Sequence, residues 1–256
     1  MLLAVDVGNT QTHLGAFRDE TLVEHWRFST VRDSTADELG AALRALLDLR
    51  GLGFEDLDGS IVSSTVPQLG TEWPQTAERY LSHRMLEVGP GLKIGMVIRF
   101  DNPREIGADR LVNAVAAHAQ IPGNCIVVDF GTAITYDAIS ADGEYLGGII
   151  SPGVEISLQA LSERAAKLPR VELIEPRTLI GKSTVDAIRS GVVFGFAAQV
   201  DGIVTRLRGV LGEDTKALAT GGLAAHIVPF CETIDTVDDL LTLTGLRLIW
   251  ERNQGE

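Results

Sequence analysis

Residues 2–17 read LLAVDVGNTQTHLGAF, and this stretch determines how the rest of the chain is interpreted. Residues 2–7 are apolar except for Asp6, which is typical of a strand buried on both faces. The Gly-Asn-Thr sequence at residues 8–10 favours a tight turn, and apolar residues resume after Gln11, which predicts a second strand. Such a turn can present backbone N–H groups to a phosphate, and the carboxylate of Asp6 would face that phosphate.

The same pattern occurs a second time near the middle of the chain. Residues 126–136 read IVVDFGTAITY, in which Asp129 ends an apolar strand and glycine and threonine precede another. A single polar turn between two strands is common and indicates little by itself. Two copies separated by close to half of the 256 residues indicate a duplicated chain.

Composition limits the kind of partner that we expect. The chain has 22 Lys and Arg against 35 Asp and Glu, a net charge of −13 that opposes binding to nucleic acid or to anionic membranes, so a small-molecule substrate is favoured. Cys125 and Cys231 lack metal-ligand spacing and are expected to be inert thiols. The sequence lacks a basic leader and a run of 18 apolar residues, which predicts a cytoplasmic protein.

Each half is predicted to contain three adjacent strands followed by alternating helices and strands. We place the halves at residues 1–120 and 121–256, as expected for one or two α/β domains. Thr35 and Glu38 form a capping-box pattern before a helix. A long helix is predicted at 183–211 and a last helix at 237–252.

One carboxylate has the setting of a general base. Asp109 begins a helix beside Arg110, and we expect the helix dipole and the guanidinium to keep it ionised. Phosphoryl transfer needs only a weak base. An acidic residue that merely complements the helix dipole has the same pattern. The sequence GKS at 181–183 is not a P-loop, because Pro176 stands where the first glycine is required.

Neither turn has a basic residue near it in sequence. No Lys or Arg occurs at residues 1–17 or 111–163. A triphosphate beside Asp6 and Asp129 would therefore meet uncompensated negative charge, which a monovalent cation held by Asp129 and turn carbonyls would relieve. Arg110 is the alternative source of positive charge.

Six short motifs together resemble the type III pantothenate kinases of the acetate and sugar kinase, chaperone and actin superfamily. They are DVGNT at 6–10, NPREIGADR at 102–110, DFGTAITYD at 129–137, GGIISPG at 147–153, GKST at 181–184 and TGG at 220–222. The resemblance implies duplicated actin-like (ribonuclease H-like) halves, each a mixed sheet with flanking helices around a central cleft.

The resemblance also implies a function. The expected reaction is ATP-dependent phosphorylation of pantothenate to 4′-phosphopantothenate, the first step of coenzyme A biosynthesis, by a homodimer that uses Mg²⁺ and K⁺ or NH₄⁺. Asp109 would be the catalytic base. Asp129 would hold the monovalent cation, and Asp6 would hold Mg²⁺ directly or through water.

The implied binding residues fall into two groups. ATP would be held by Asp6, Val7, Gly8, Asn9, Thr10, Gln11, Thr12, His13, Thr132, Thr220, Gly221 and Gly222. Pantothenate would be held by Phe100, Gly107, Ala108, Asp109, Arg110 and Thr184.

Three positions differ from the family pattern: Phe100 replaces an expected tyrosine, Ala165 replaces a frequent threonine, and His13 replaces an apolar residue. Two alternative functions stay open from sequence. One is another enzyme on the same scaffold, such as a sugar kinase or a phosphoanhydride hydrolase. The other is a catalytically silent homologue with a regulatory or binding role, although the retained Asp6, Asp109 and Asp129 favour an enzyme.

Overall fold

A computed structural model describes residues 1–165 and 167–254. The chain forms two compact units. The first contains Met1–Met96, Asp101–Ala116 and the chain from Leu240 onward, and the second contains Val97–Phe100 and Ala117–Asp239. Each unit has its own sheet and its own hydrophobic core.

The sheet of the first unit has five strands. They are β1 (Leu2–Val7), β2 (Gln11–Arg18), β3 (Thr21–Ser29), β4 (Gly59–Ser64) and β5 (Leu86–Glu87). Their order is β3-β2-β1-β4-β5, with β1, β2 and β3 antiparallel and with β4 parallel to both β1 and β5. The helices are α1 (Ala36–Asp48), α2 (Pro67–Thr76), α3 (Ala108–Gln120), of which residues to Ala116 belong to this unit, and α7 (Leu241–Arg252).

Alternate residues of β1 enter two different cores, because successive side chains of a strand point to opposite faces. Leu3 and Val5 pack in a cluster that contains Leu43 of α1. Leu2 and Ala4 pack in another cluster, whose helical members include Val112 and Val115 of α3 and Leu243 and Leu246 of α7. Asp6 continues the second series, so its side chain lies on the sheet face that α3 covers.

The sheet of the second unit has six strands. They are β6 (Val97–Ile98), β7 (Cys125–Phe130), β8 (Ala133–Ile139), β9 (Glu144–Pro152), β10 (Lys216–Thr220) and β11 (Thr236–Val237), in the order β11-β10-β7-β8-β9-β6. The helices are α4 (Val154–Arg164), α5 (Thr184–Leu211) and α6 (Ala224–Ile227).

The two sheets confirm the predicted duplication. In each, an antiparallel three-strand meander (β1-β2-β3 or β7-β8-β9) is extended by a strand parallel to its first member (β4 or β10). The short strands β5 and β11 then extend each sheet in the same direction. The fold is thus α/β, with two actin-like halves.

The end of the chain differs from the predicted division. The last helix begins at Leu241 rather than at residue 237, and the preceding residues include β11. This helix belongs to the first unit, because Leu243, Leu246 and Ile249 are buried against its sheet. Sequence order alone gives no indication of such a return.

The long helix α5 has the length and composition of a membrane span. It nevertheless contributes Val193, Ala197, Val200 and Val204 to the core of the second unit. These contacts are typical of a core helix in a globular domain.

Candidate active site

The first hairpin turn is closed by a backbone hydrogen bond from Gly8 N to Gln11 O at 3.0 Å. A Cβ on Gly8 would lie 2.9 Å from the same carbonyl oxygen, so the turn requires glycine at this position. Asn9, Thr10 and Gln11 are exposed at the tip. These residues can therefore contact a ligand.

A second segment of the same unit supports this turn. Thr30 donates from its backbone N to Thr10 O at 2.9 Å and from its hydroxyl to Gly8 O at 2.8 Å. The amide of Asn9 donates to Thr65 Oγ1 at 3.4 Å, and a guanidinium nitrogen of Arg32 donates to Asn9 Oδ1 at 3.2 Å. These supporting residues have no signal in the sequence, because only the fold brings the segments after β3 and β4 to the turn.

The remaining predicted nucleotide residues of this hairpin lie inside the sheet. Val7 and Thr12 are buried, and His13 is 8% exposed with its Nε2 3.1 Å from His25 Nδ1. Burial, reinforced by nearby Arg27 and His25, lowers the pKa of His13 to about 3. His13 is therefore neutral at neutral pH and adds no cation to the turn.

Asp6 has two neighbours across the strands, His13 on β2 and Ser63 on β4. The Ser63 hydroxyl is buried and has no hydrogen-bond partner among the described residues. A polar ligand such as metal-bound water fits this end of the strands. The described residues contain no group of three or more His, Cys, Asp or Glu able to hold a metal ion. Mg²⁺ keeps several waters in proteins and binds through one or two carboxylates together with substrate phosphates, so a single carboxylate such as Asp6 is a sufficient protein ligand for it.

Asp109 lies in the first turn of α3, on the helix that covers the same sheet face as Asp6. Its Oδ1 accepts a hydrogen bond from Arg110 N at 2.9 Å, and a Cβ on Gly107 would overlap this oxygen. Burial raises the pKa of Asp109, while the Arg110 amide and guanidinium oppose the increase. The sequence expectation included the opposing effects and omitted the burial, which is the largest effect.

The second hairpin turn repeats the closure, with Gly131 N donating to Ala133 O at 3.1 Å. Asp129 is paired with Thr135 on β8 and with Thr220 on β10. Gly221 follows with a φ of +96°, and a Cβ there would overlap Asp129 Oδ1. The structure therefore brings Asp129 into contact with the TGG motif.

The carbonyl oxygens of this turn point toward the start of α4. A Cβ on Gly153, which precedes α4, would overlap Thr132 O and lie 2.8 Å from Gly131 O. Backbone carbonyl oxygens such as these can replace part of the hydration shell of a monovalent cation.

A cavity of about 330 Å³ lies beside the residues that follow TGG. It is lined by Leu173, Ile174, Glu175, Val193, Ala225, His226, Pro229 and Phe230. Glu175 and His226 are the polar side chains of this lining.

The other predicted substrate residues of the second unit are Phe100 and Thr184. The ring of Phe100 lies 6.3 Å from that of Tyr145, and Arg99 N donates to Tyr145 O at 2.8 Å, so this segment is fixed to β9. Thr184 is exposed and begins α5 after the N-cap Ser183.

Both cysteines match the sequence expectation, since burial raises the pKa of each thiol to about 12.

Comparison with known proteins identifies a family. The family model for type III pantothenate kinase matches residues 2–206. A type III pantothenate kinase from Exiguobacterium sp. is 53% identical and one from Moorella thermoacetica is 51% identical, with 99% of this chain and 100% of each relative covered.

Two solved structures are similar in fold. One is an ROK hexokinase from Thermus thermophilus, with a TM-score of 0.51 at 14% identity and 99% of both chains covered. The other is the ethanolamine utilization protein EutJ from Carboxydothermus hydrogenoformans. The second has a TM-score of 0.57 at 17% identity, with 96% of this chain and 89% of that chain covered.

Proposed function

Because this chain belongs to the type III pantothenate kinase family, whose members phosphorylate pantothenate in coenzyme A biosynthesis, we propose that Asp109 is the general base of that reaction. The reaction uses ATP and a divalent metal ion, as kinases do. The sugar kinase and regulatory alternatives receive no support from the named relatives. Membership of a family of metabolic enzymes also supports a cytoplasmic location.

The proposed step moves one proton and one phosphoryl group. The primary hydroxyl oxygen of pantothenate attacks the γ-phosphorus, its proton passes to the Asp109 carboxylate, and the bond to the leaving ADP oxygen breaks. The single observation that carries the assignment is the half-buried position of Asp109 in the first turn of α3, the helix that covers the sheet face of Asp6. A raised pKa makes this carboxylate a stronger base, and the optimum for such a base lies near the working pH.

Replacement of this carboxylate tests the proposal. Asp109→Asn keeps the shape and the acceptor for Arg110 N, so we expect a folded protein whose turnover is lower by about 100-fold or more. Asp101→Asn removes an exposed carboxylate of the same segment and should leave turnover unchanged. Near-wild-type turnover of folded Asp109→Asn, measured as pantothenate-dependent release of ADP per enzyme per unit time, would contradict the assignment.

The pH dependence of activity and of stability provides a second test of the role of Asp109. Because burial raises the pKa of Asp109, its ionised form is disfavoured in the folded state, and wild-type kcat/KM should decline on acidification at a pH above the ordinary value of 3.8. At neutral pH the buried charge lowers stability, so Asp109→Asn should unfold at a higher temperature than wild type. That difference should shrink as the pH falls through the raised folded-state pKa and should vanish only below the ordinary pKa of 3.8, where Asp109 is neutral in the folded and the unfolded chain.

ATP is assigned to both hairpins. The exposed residues of the first turn and Thr132 of the second would bind phosphates, Asp6 would hold Mg²⁺ through water, and Thr220 to Gly222 would contact the adenosine. The neighbouring cavity has room for the base. Pantothenate would contact Phe100, Thr184 and the segment from Gly107 to Arg110.

Two further assignments complete the proposed working form. Asp129 and turn carbonyls would hold K⁺ or NH₄⁺, which would neutralise part of the phosphate charge, and the carbonyls of Gly131 and Thr132 are the candidate backbone ligands. The working form would be a homodimer that associates through the exposed small-residue side of α5. Gly191 and Gly195 are exposed there with open space around them.

A further inference from the structure

One arginine of the first unit lies beside the first hairpin turn. Arg32 lies in the loop between β3 and α1 and is exposed. Its only hydrogen bond within the described part of the chain is the 3.2 Å contact with Asn9 Oδ1, a neutral acceptor. Three exposed arginines of the same unit form ion pairs with carboxylates: Arg44 with Asp48, Arg50 with Glu24, and Arg79 with Asp37.

The position of Arg32 is set by the fold. Thr30, two residues earlier, contacts the carbonyl oxygens of Gly8 and Thr10 and lies 3.0 Å from the hydroxyl of Thr12. Asn9 is held from its other side by Thr65. The guanidinium is therefore kept beside the exposed tip of the turn, where the chain supplies no basic residue from positions 1–17.

Among the residues that the structure describes, no carboxylate forms an ion pair with Arg32, and its guanidinium contacts the neutral amide oxygen of Asn9. A guanidinium presents several N–H donors in a plane and binds phosphate oxygens in a bidentate manner. A polyanion at the turn tip would supply the missing negative charge.

We infer that Arg32 binds phosphate oxygens of ATP at the Gly8–Thr10 turn. This inference rests on the proposed assignment of that turn to ATP phosphates. It corrects the expectation that the first hairpin has no basic side chain beside it, because Arg32, in the loop after β3, contacts Asn9 of this turn. Arg32 then becomes a determinant of nucleotide affinity and not of pantothenate affinity.

The test separates the phosphates of ATP from its adenosine. Arg32→Gln removes the charge and keeps an amide donor, and Arg32→Lys keeps the charge without the planar fork. Arg44→Gln is the matched control, since it removes one positive charge from α1 of the same unit. Calorimetric titration with Mg-ATP, Mg-tripolyphosphate and adenosine would be combined with the KM values for ATP and pantothenate.

We expect Arg32→Gln to weaken Mg-ATP and Mg-tripolyphosphate binding about tenfold, the effect of losing one charged hydrogen bond. Adenosine affinity and the pantothenate KM should stay within twofold of wild type. Arg32→Lys should lie between wild type and Arg32→Gln, and Arg44→Gln should bind all three ligands as wild type does. The loss should also shrink at high salt, because screening weakens exposed charge interactions.

One more variant distinguishes failure of this inference from failure of the proposed site. Gly8→Val inserts a side chain against Gln11 O and should abolish the turn. If Gly8→Val loses ATP and Arg32→Gln does not, the inference about Arg32 is wrong. If both bind ATP normally, the turn is not the phosphate site and the proposed assignment fails. Equal losses of ATP and adenosine in Arg32→Gln would assign Arg32 a structural role and would also overturn the inference.

Discussion

Asp129 has a packed environment that explains why its turn carries so many small residues. The carboxylate oxygen lies where a Cβ of Gly221 would be, and Gly221 has a left-handed φ that other residues rarely adopt. Residues 111–163 contain no Lys or Arg, so a triphosphate at this turn meets no basic side chain from the local sequence. At an effective dielectric of about 20, two like charges 4 Å apart repel by roughly 4 kcal/mol.

This repulsion leads to a prediction about ions. Relief of about a third of it corresponds to roughly a tenfold change in rate, so wild-type turnover in potassium should exceed that in a bulky organic cation by about that factor. Asp129→Asn should lose most of this dependence, whereas Asp142→Asn, an exposed carboxylate of the β8–β9 turn, should retain it. Turnover would be measured in matched sodium, potassium and organic-cation buffers at constant ionic strength. Equal wild-type rates in all three would end the potassium proposal.

The sequence could identify these carboxylates and could not supply their surroundings. Asp6, Asp109 and Asp129 were recognised from motifs, because each stands at the end of an apolar strand or the start of a helix. The burial that raises the pKa of Asp109 depends on packing around a segment whose own residues are mostly polar or small. Arg32 was missed for a similar reason, since its contact with Asn9 joins residues far apart in sequence.

Strong local patterns gave the right elements. The predicted capping box before α1 is confirmed, with Thr35 N donating to Glu38 Oε2 at 2.8 Å and Glu38 N donating to Thr35 Oγ1 at 3.4 Å. The predicted helix at 183–211 matches α5 with Ser183 as its N-cap. The short elements α6 and β11 were not predicted, because a four-residue helix and a two-residue strand have too few residues for a period and depend on neighbours in space.

The return of α7 to the first unit requires a close helix contact. A Cβ on Gly245 would overlap Val112 O and lie 2.8 Å from Val112 Cγ1, so α7 and α3 approach closely at this glycine. We predict that Gly245→Ala lowers the free energy of unfolding by about 1–3 kcal/mol, the usual cost of inserting bulk into a packed core. Chemical denaturation of the whole protein would measure the change.

The control for this prediction is Gly70→Ala in α2 of the same unit. Its Cβ would meet Ser64 Cβ at 3.6 Å, an ordinary contact, so the change should be neutral or should add up to about 1 kcal/mol through helix propensity. A Gly245→Ala protein as stable as wild type would show that the two helices do not pack as closely as described.

For the molecule as a whole, net charge determines what can hold two copies together. Each chain carries −13, so two chains repel at long range and any association must come from apolar packing. The second unit exposes Ile150 at 62% and Ile156 at 45%, as well as the small side of α5. An apolar surface within an acidic molecule should bind its own copy more strongly as salt screens the charge, since the screening length is about 10 Å at 0.1 M salt and about 3 Å at 1 M.

The dimer proposal can therefore be tested by adding a bulky side chain on α5 and by varying the salt concentration. Apart from its own helical turn, the described part of the chain has no heavy atom within 4 Å of a Cβ built on Gly195, so a side chain there enters open space and Gly195→Leu should clash with a molecule packed on α5. Sedimentation velocity should show wild type as a dimer whose dissociation constant falls as salt rises. Gly195→Leu should raise that constant about tenfold or more, since overpacking a close contact costs about 1–3 kcal/mol. Ala45→Leu, which adds similar bulk at an exposed position of α1, should sediment as wild type does.

A wild-type protein that is monomeric and fully active would refute the proposal. A Gly195→Leu protein that dimerises normally would instead place the interface away from α5.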